Sequence, residues 1–155
     1  MLFRSPVQEQ AIIPARRGKN VLANAQTGTG KTAAFALPIL QQMHDRPKPT
    51  EPGCPRALIL TPTRELAEKL ADTIKRYAQF LPLKIIALYG GVNMDGQQKK
   101  LKAGVDIVIS TPGRLLEHVV QCNVSLAKAE FVVLDERSEE RRGGKECRSR
   151  WWPCH

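Results

Sequence analysis

Apolar residues in this chain gather in short blocks, and the stretches between the blocks carry them every three or four positions instead. The blocks are Val21-Leu22-Ala23, Ala57-Leu58-Ile59-Leu60 after Arg56, Ile85 to Tyr89 after Lys84, Val105 to Ile109, and Phe131-Val132-Val133-Leu134. Each is too short for a helix and apolar on both faces, which predicts five strands of a parallel sheet. Between them, Leu66, Leu70, Ile74, Tyr77 and Leu81 follow helical spacing, so residues 64–80 read as an amphipathic helix. Ser5-Pro6-Val7-Gln8 opens another helix, with Ser as N-cap, Pro at the first helical position and Gln at the third, running towards Ile13 until Pro14 turns the chain. Further helices are predicted from Lys31 to about His44, from Met94 to Lys102, and from Thr111 to about Gln121. Pro47, Pro49, Pro52 and Pro55 mark an exposed loop. Strands alternating with helices give an α/β fold, a parallel sheet covered by helices on both faces, whose ligands collect at the carboxyl ends of the strands.

The polar signatures fall at those ends. Ala25-Gln26-Thr27-Gly28-Thr29-Gly30-Lys31-Thr32 lies between the first block and a helix. Glycines there let backbone N–H groups turn inward, the helix N-terminus adds positive potential, Lys31 adds a charge, and Thr32 offers a hydroxyl to Mg²⁺. The general pattern has Gly where this chain has Ala25, and the close approach to phosphate falls on Gly28 and Gly30. Asp135-Glu136 emerges from the last apolar block, where an Asp can hold Mg²⁺ and a Glu can orient and deprotonate water. Away from a phosphate cradle, such a pair would read as a surface acidic pair. Thr61-Pro62-Thr63-Arg64 and Thr111-Pro112-Gly113-Arg114 place hydroxyls, amides and an Arg at helix N-termini, with Gly90-Gly91 between them in sequence. They read either as capped turns or as a line of phosphate contacts.

Composition narrows the partners. The net charge of +9 suggests an anionic one, although residues 1–136 account for only +6, with 18 Lys/Arg against 12 Asp/Glu, and the last 19 residues add +3. Aromatic residues make up 5%, so a grip on the backbone of a nucleic acid fits better than base stacking. With 155 residues the chain can bury one core. No apolar run approaches a membrane span and no basic region precedes an apolar one at the N-terminus, so a soluble, cytosolic chain is expected. Cys54, Cys122, Cys147 and Cys154 lack the spacing of a disulfide framework or a zinc knuckle and read as free thiols.

With these residues in view, the chain from about Ser5 to Glu136 resembles the amino-terminal RecA-like domain of the DEAD-box RNA helicases, particularly the bacterial RhlE-type members. Ser5-Pro6-Val7-Gln8 is similar to the Q motif, residues 25–32 to motif I, residues 62–67 to motif Ia, Gly90-Gly91 to the GG motif, residues 111–114 to motif Ib, and residues 133–136 to the start of motif II. The resemblance implies a P-loop NTPase that couples ATP hydrolysis to clamping and unwinding RNA without reading sequence. It implies that Gln8 meets adenine, that Ala25, Gln26, Thr27, Gly28, Thr29, Gly30 and Lys31 hold the phosphates, and that Thr32 and Asp135 serve Mg²⁺. Lys31 and Glu136 would be the catalytic pair. Pro62, Thr63, Arg64, Gly91, Thr111, Gly113 and Arg114 would line the RNA path. A P-loop ATPase acting on DNA and a non-catalytic nucleotide- or RNA-binding module are the alternatives.

The family pattern continues Ala-Asp after Asp135-Glu136, whereas this chain has Arg137-Ser138, and neither motif III nor a second RecA-like domain follows. The resemblance therefore implies a truncated domain over residues 1–136, inactive by itself as an enzyme. Residues 137–155 resemble the conceptual translation of a sequencing-library adapter, with Gly143, Trp152 and Cys154 in place of Val, Ser and Tyr. This predicts a non-native or disordered tail.

Overall fold

The computed structural model describes residues 5–23, 25 and 28–135. Its helices are α1 (Pro6–Arg16), α2 (Lys31–Asp45), α3 (Arg64–Tyr77), α4 (Met94–Lys102) and α5 (Pro112–Val120). Its strands are β1 (Ala57–Leu60), β2 (Ile85–Leu88), β3 (Ile107–Ser110) and β4 (Phe131–Leu134). The strands form one sheet in the order β2-β3-β1-β4, every pair parallel.

Alternation along the strands divides the core into two layers. Ala57, Ile59, Ile107 and Ile109 pack with Ala36, Ile39, Leu40 and Met43 of α2 and with Leu70, Ala71 and Ile74 of α3. Their neighbours Leu58, Ile86, Leu88 and Val108 face the other way, against Leu101 of α4, Leu115 of α5 and Val124. Helices thus cover both faces, as the block pattern predicts.

Two local expectations fail. Val21-Leu22-Ala23 forms no strand: all three residues are exposed, Leu22 completely. A three-residue run gains only a few ladder hydrogen bonds from one neighbour, while fixing each residue costs about 1–2 kcal/mol of backbone entropy. Among the described residues β4 is consequently an edge strand, with Val132 and Leu134 61% and 50% exposed. The second failure is at Pro14, which does not end α1. Its ring removes one amide donor, but the last turn is held by Arg17 N donating to the Ile13 carbonyl at 3.2 Å and by Gln42 Nε2 of α2 donating to the Ala15 carbonyl at 2.9 Å. Packing against α2 outweighs the missing bond.

Charge fixes the opposite end of the sheet. Arg56, buried just before β1, donates from Nε to Glu130 Oε1 at 2.8 Å and from Nη2 to the Arg46 carbonyl at 3.0 Å, and Lys48 reaches the same Glu130 oxygen at 2.9 Å. The Arg56 guanidinium, with Lys48 adding to it, holds the Glu130 carboxyl below its ordinary value of 4.5 despite partial desolvation. A carboxyl depressed on folding adds stability above its unfolded pKa and loses that contribution as pH falls through the folded one. The melting temperature should therefore drop as pH falls below the ordinary carboxyl value of 4.5, and Glu130→Gln should flatten that drop when melting is followed into the acid range.

Candidate nucleotide and nucleic-acid edge

Parallel register brings the polar loops to one side of the molecule. Leu60, Ser110, Leu88 and Leu134 are paired strand ends. The ladder continues one residue beyond each: Thr61 N donates to the Ser110 carbonyl, Thr111 N to the Leu88 carbonyl and Asp135 N to the Leu60 carbonyl. With strands about 4.8 Å apart, the loops beginning at Tyr89, Thr111, Thr61 and Asp135 stand in a row along the carboxyl edge. The sequence-predicted residues Pro62, Thr63, Arg64, Gly91, Thr111, Gly113, Arg114 and Asp135 all lie in these loops or in the first turn of the helices that follow.

The glycine loop reaches the same edge through α2. The carbonyl of Arg46, at the end of α2, is bound by Arg56 at the amino end of β1, and α2 packs along the sheet through Ala36, Ile39, Leu40 and Met43. It therefore runs opposite to β1, and its 15 residues span about 22 Å. That is longer than a four-residue strand of about 13 Å, so its N-terminus projects at the carboxyl edge. Gly28 and Gly30 have φ of +83° and +81°, a region that side chains rarely tolerate. Gly30 is the N-cap of α2, and Lys31 and Thr32 form its first turn.

Gln8 is drawn into this loop. Its Oε1 accepts from Ser5 N at 3.2 Å and its Nε2 donates to the Gly30 carbonyl at 3.2 Å, an oxygen that also accepts from Ala34 N. A Cβ at Gly30 would collide with the Gln8 amide. Both ends of the side chain are thus engaged within the protein, locking the start of α1 to the loop. Gln26, Thr27 and Glu136, together with the 137–155 tail, lie outside the described residues.

Along the rest of the edge, Pro62, Thr63, Arg64, Gly91 and Gly113 are exposed and Thr111 is half-buried. Thr63 caps α3 by accepting from Leu66 N at 3.3 Å. The Arg64 guanidinium lies 4.9 Å from the centroid of the Tyr89 ring and 3.4 Å from Glu68 Oε1. The Tyr89 hydroxyl, hydrogen-bonded to Glu68, lowers that carboxyl and is itself raised. Arg114 is more enclosed: its side chain is 10% exposed, Nη2 donates to the Val92 carbonyl at 3.1 Å and Nη1 lies 3.2 Å from Glu117. The structure thus directs its guanidinium to the loop after β2.

Sequence reasoning misses the support beneath that loop. Gln97 of α4 and His118 of α5 are buried and hydrogen-bonded at 2.9 Å, and Gln97 Nε2 donates to the Tyr89 carbonyl at 3.2 Å. Burial, reinforced by the Arg114 charge, pushes the His118 pKa down. The available signal was one helical turn: His118 follows Arg114 by four positions and so shares its face.

Comparison with known proteins gives the same organisation. The family described as DEAD/DEAH box helicase matches residues 5–143. The chain is 43% identical over 141 residues to the ATP-dependent RNA helicase DeaD of Haemophilus influenzae, covering 90% of this chain and 22% of that one. It is 43% identical over 135 residues to the DEAD-box ATP-dependent RNA helicase CshA of Streptococcus pneumoniae, covering 87% of this chain and 25% of that one. The chain thus spans about a quarter of the length of these curated relatives. The ATP-dependent RNA helicase SrmB of Haemophilus influenzae is also 43% identical, so the identities do not single out the RhlE-type branch. The crystal structure of a hypothetical ATP-dependent RNA helicase from Sulfolobus tokodaii superposes with a TM-score of 0.76 at 34% identity, covering 86% of this chain and 37% of that chain.

Proposed function

Because this chain belongs to the DEAD/DEAH box helicase family, we propose that it forms the ATP-binding RecA-like part of an ATP-dependent RNA helicase. One observation carries the reading: a glycine loop with two residues at positive φ opens α2 at the same sheet edge where four parallel strands deliver their polar loops. The donor set suits a magnesium nucleotide. Backbone amides of residues 28–32, the helix N-terminus and the Lys31 ammonium match phosphate oxygens. The Thr32 hydroxyl and the Asp135 carboxylate are hard oxygen ligands of the kind Mg²⁺ takes. Bound there, Mg²⁺ would neutralise charge on the β- and γ-phosphates. Glu136 would accept a proton from the attacking water, and Gln8 would fix the loop through Gly30 while its remaining amide capacity faces adenine.

RNA would lie across the loops after β2, β3 and β1, next to the nucleotide rather than over it. Pro62, Thr63, Arg64, Gly91, Thr111, Gly113 and Arg114 offer it amides, hydroxyls and guanidinium charge, and such contacts hold a backbone without reading bases. A soluble cytosolic setting fits a protein acting on RNA. The test is ATP turnover of the intact protein with single-stranded RNA or DNA added. Stimulation by RNA alone is expected. Equal stimulation by DNA would replace this reading with that of a DNA-directed ATPase, and failure to bind Mg-ATP would remove it.

A further inference from the structure

The loop after β2 is held from below by a relay of polar side chains, buried except for the half-buried Gln98, that the proposed chemistry does not use. Gln98 Nε2 donates to Asn123 Oδ1 at 2.7 Å, Asn123 Nδ2 lies 3.3 Å from His118 Nδ1, His118 Nε2 lies 2.9 Å from Gln97 Oε1, and Gln97 Nε2 donates to the Tyr89 carbonyl at 3.2 Å. The donors fix the protons. Gln97 uses its amide nitrogen on Tyr89, so its oxygen must accept from His118, and the imidazole carries its proton on Nε2. Nδ1 is then the acceptor for Asn123, and the neutral ring matches both neighbours. His118 is fully buried, and Gln97 and Asn123 are 6% exposed.

The output of this relay is a single backbone carbonyl. One turn earlier on α5, Arg114 holds the Val92 carbonyl. The Tyr89–Val92 segment is therefore anchored at both ends by side chains from two helices, with Gly90 and Gly91 exposed between them and Gly91 at φ +79°. We propose that Gln97 and His118 are positioning residues that set the Gly90-Gly91 turn, together with Arg114, in the geometry that grips an RNA backbone. The inference rests on the reading of this edge as an RNA path. A packing role alone would have been met by apolar side chains at lower desolvation cost.

The test uses the full chain and compares Gln97→Met and His118→Leu, which break the relay, with His118→Gln, which keeps a donor for Gln97. Binding of fluorescent single-stranded RNA, binding of Mg-ATP, melting temperature and hydrogen exchange at residues 90–92 are measured on each. The relay-breaking variants should weaken RNA binding roughly three- to tenfold, the worth of one hydrogen bond. They should also speed exchange at residues 90–92 while nucleotide affinity stays within about twofold. His118→Gln should behave as wild type. If Gln97→Met does not fold, Gln97→Asn, which withdraws the amide from Tyr89 by one methylene, replaces it. Unchanged RNA affinity in folded relay-breaking variants overturns the positioning role. So does a parallel loss of RNA and nucleotide binding, or a His118→Gln variant as weak as His118→Leu. A wild-type chain that binds nucleotide but no RNA instead overturns the reading of the edge itself.

Discussion

Replacing Lys31 with alanine is expected to lower ATP turnover of the intact protein by roughly 10²–10³-fold, the scale on which a single preorganised donor to developing charge contributes. Lys31 is the first residue of α2, directly after Gly30, and it supplies the formal positive charge within residues 28–32. On the proposed reading its ammonium would add to the field of the helix N-terminus where phosphate charge has to be balanced. Alanine is the best helix former, so α2 should persist and the melting temperature should stay within a few degrees. That separation makes the result interpretable, because lost turnover with an intact fold assigns the effect to the phosphate site. Steady-state turnover with and without RNA is the measurement. A variant within about threefold of wild type would mean that Lys31 does not face the phosphates, and the enzyme reading would fall with it.

The blocks of apolar residues carried most of the fold. Ala57–Leu60, Ile85–Leu88 and Ile107–Ile109 lie in strands because a run apolar on both faces is buried inside a sheet with helices on either side, whereas Phe131–Leu134 pairs at the edge and keeps Val132 and Leu134 exposed. Val21-Leu22-Ala23 has the same pattern and formed none, since pattern alone does not supply a strand with a neighbour. Pro14 departs from its local rule for a related reason: tertiary contacts with α2, which no local rule includes, outweigh the breaker. At the site, Gly28 and Gly30 were legible because positive φ selects glycine. From sequence, Gln8 fits both a capping residue and an adenine ligand. It spends one end on the cap at Ser5 and the other on Gly30, a contact 22 positions away that its own neighbourhood could not announce. The Gln97–His118 pair was invisible for the same reason, since a lone Gln on a polar helix and a lone His near a helix end each look like solvent-facing residues until the fold buries them together.

The contrast between paired and edge strands also predicts where the chain can lose stability. Ile109→Ala should destabilise it by about 2–5 kcal/mol, the range for truncating a buried aliphatic side chain to alanine. Ile109 is completely buried on β3, a strand flanked by β2 and β1, and it sits in the layer formed with α2 and α3. For a domain of this size each kcal/mol shifts the melting temperature by about 2–4 °C, so a fall of roughly 4–20 °C is expected. Val132→Ala is the matched comparison. Val132 occupies an equally apolar block, but on the edge strand β4, where it is 61% exposed, so its truncation should change stability by no more than about 0.5 kcal/mol. Thermal melts of the two variants against wild type decide the matter. If Val132→Ala proves as damaging as Ile109→Ala, then β4 is covered on that face in solution and the open edge described above is wrong. If Ile109→Ala is nearly silent, the two-layer core is not what holds the sheet.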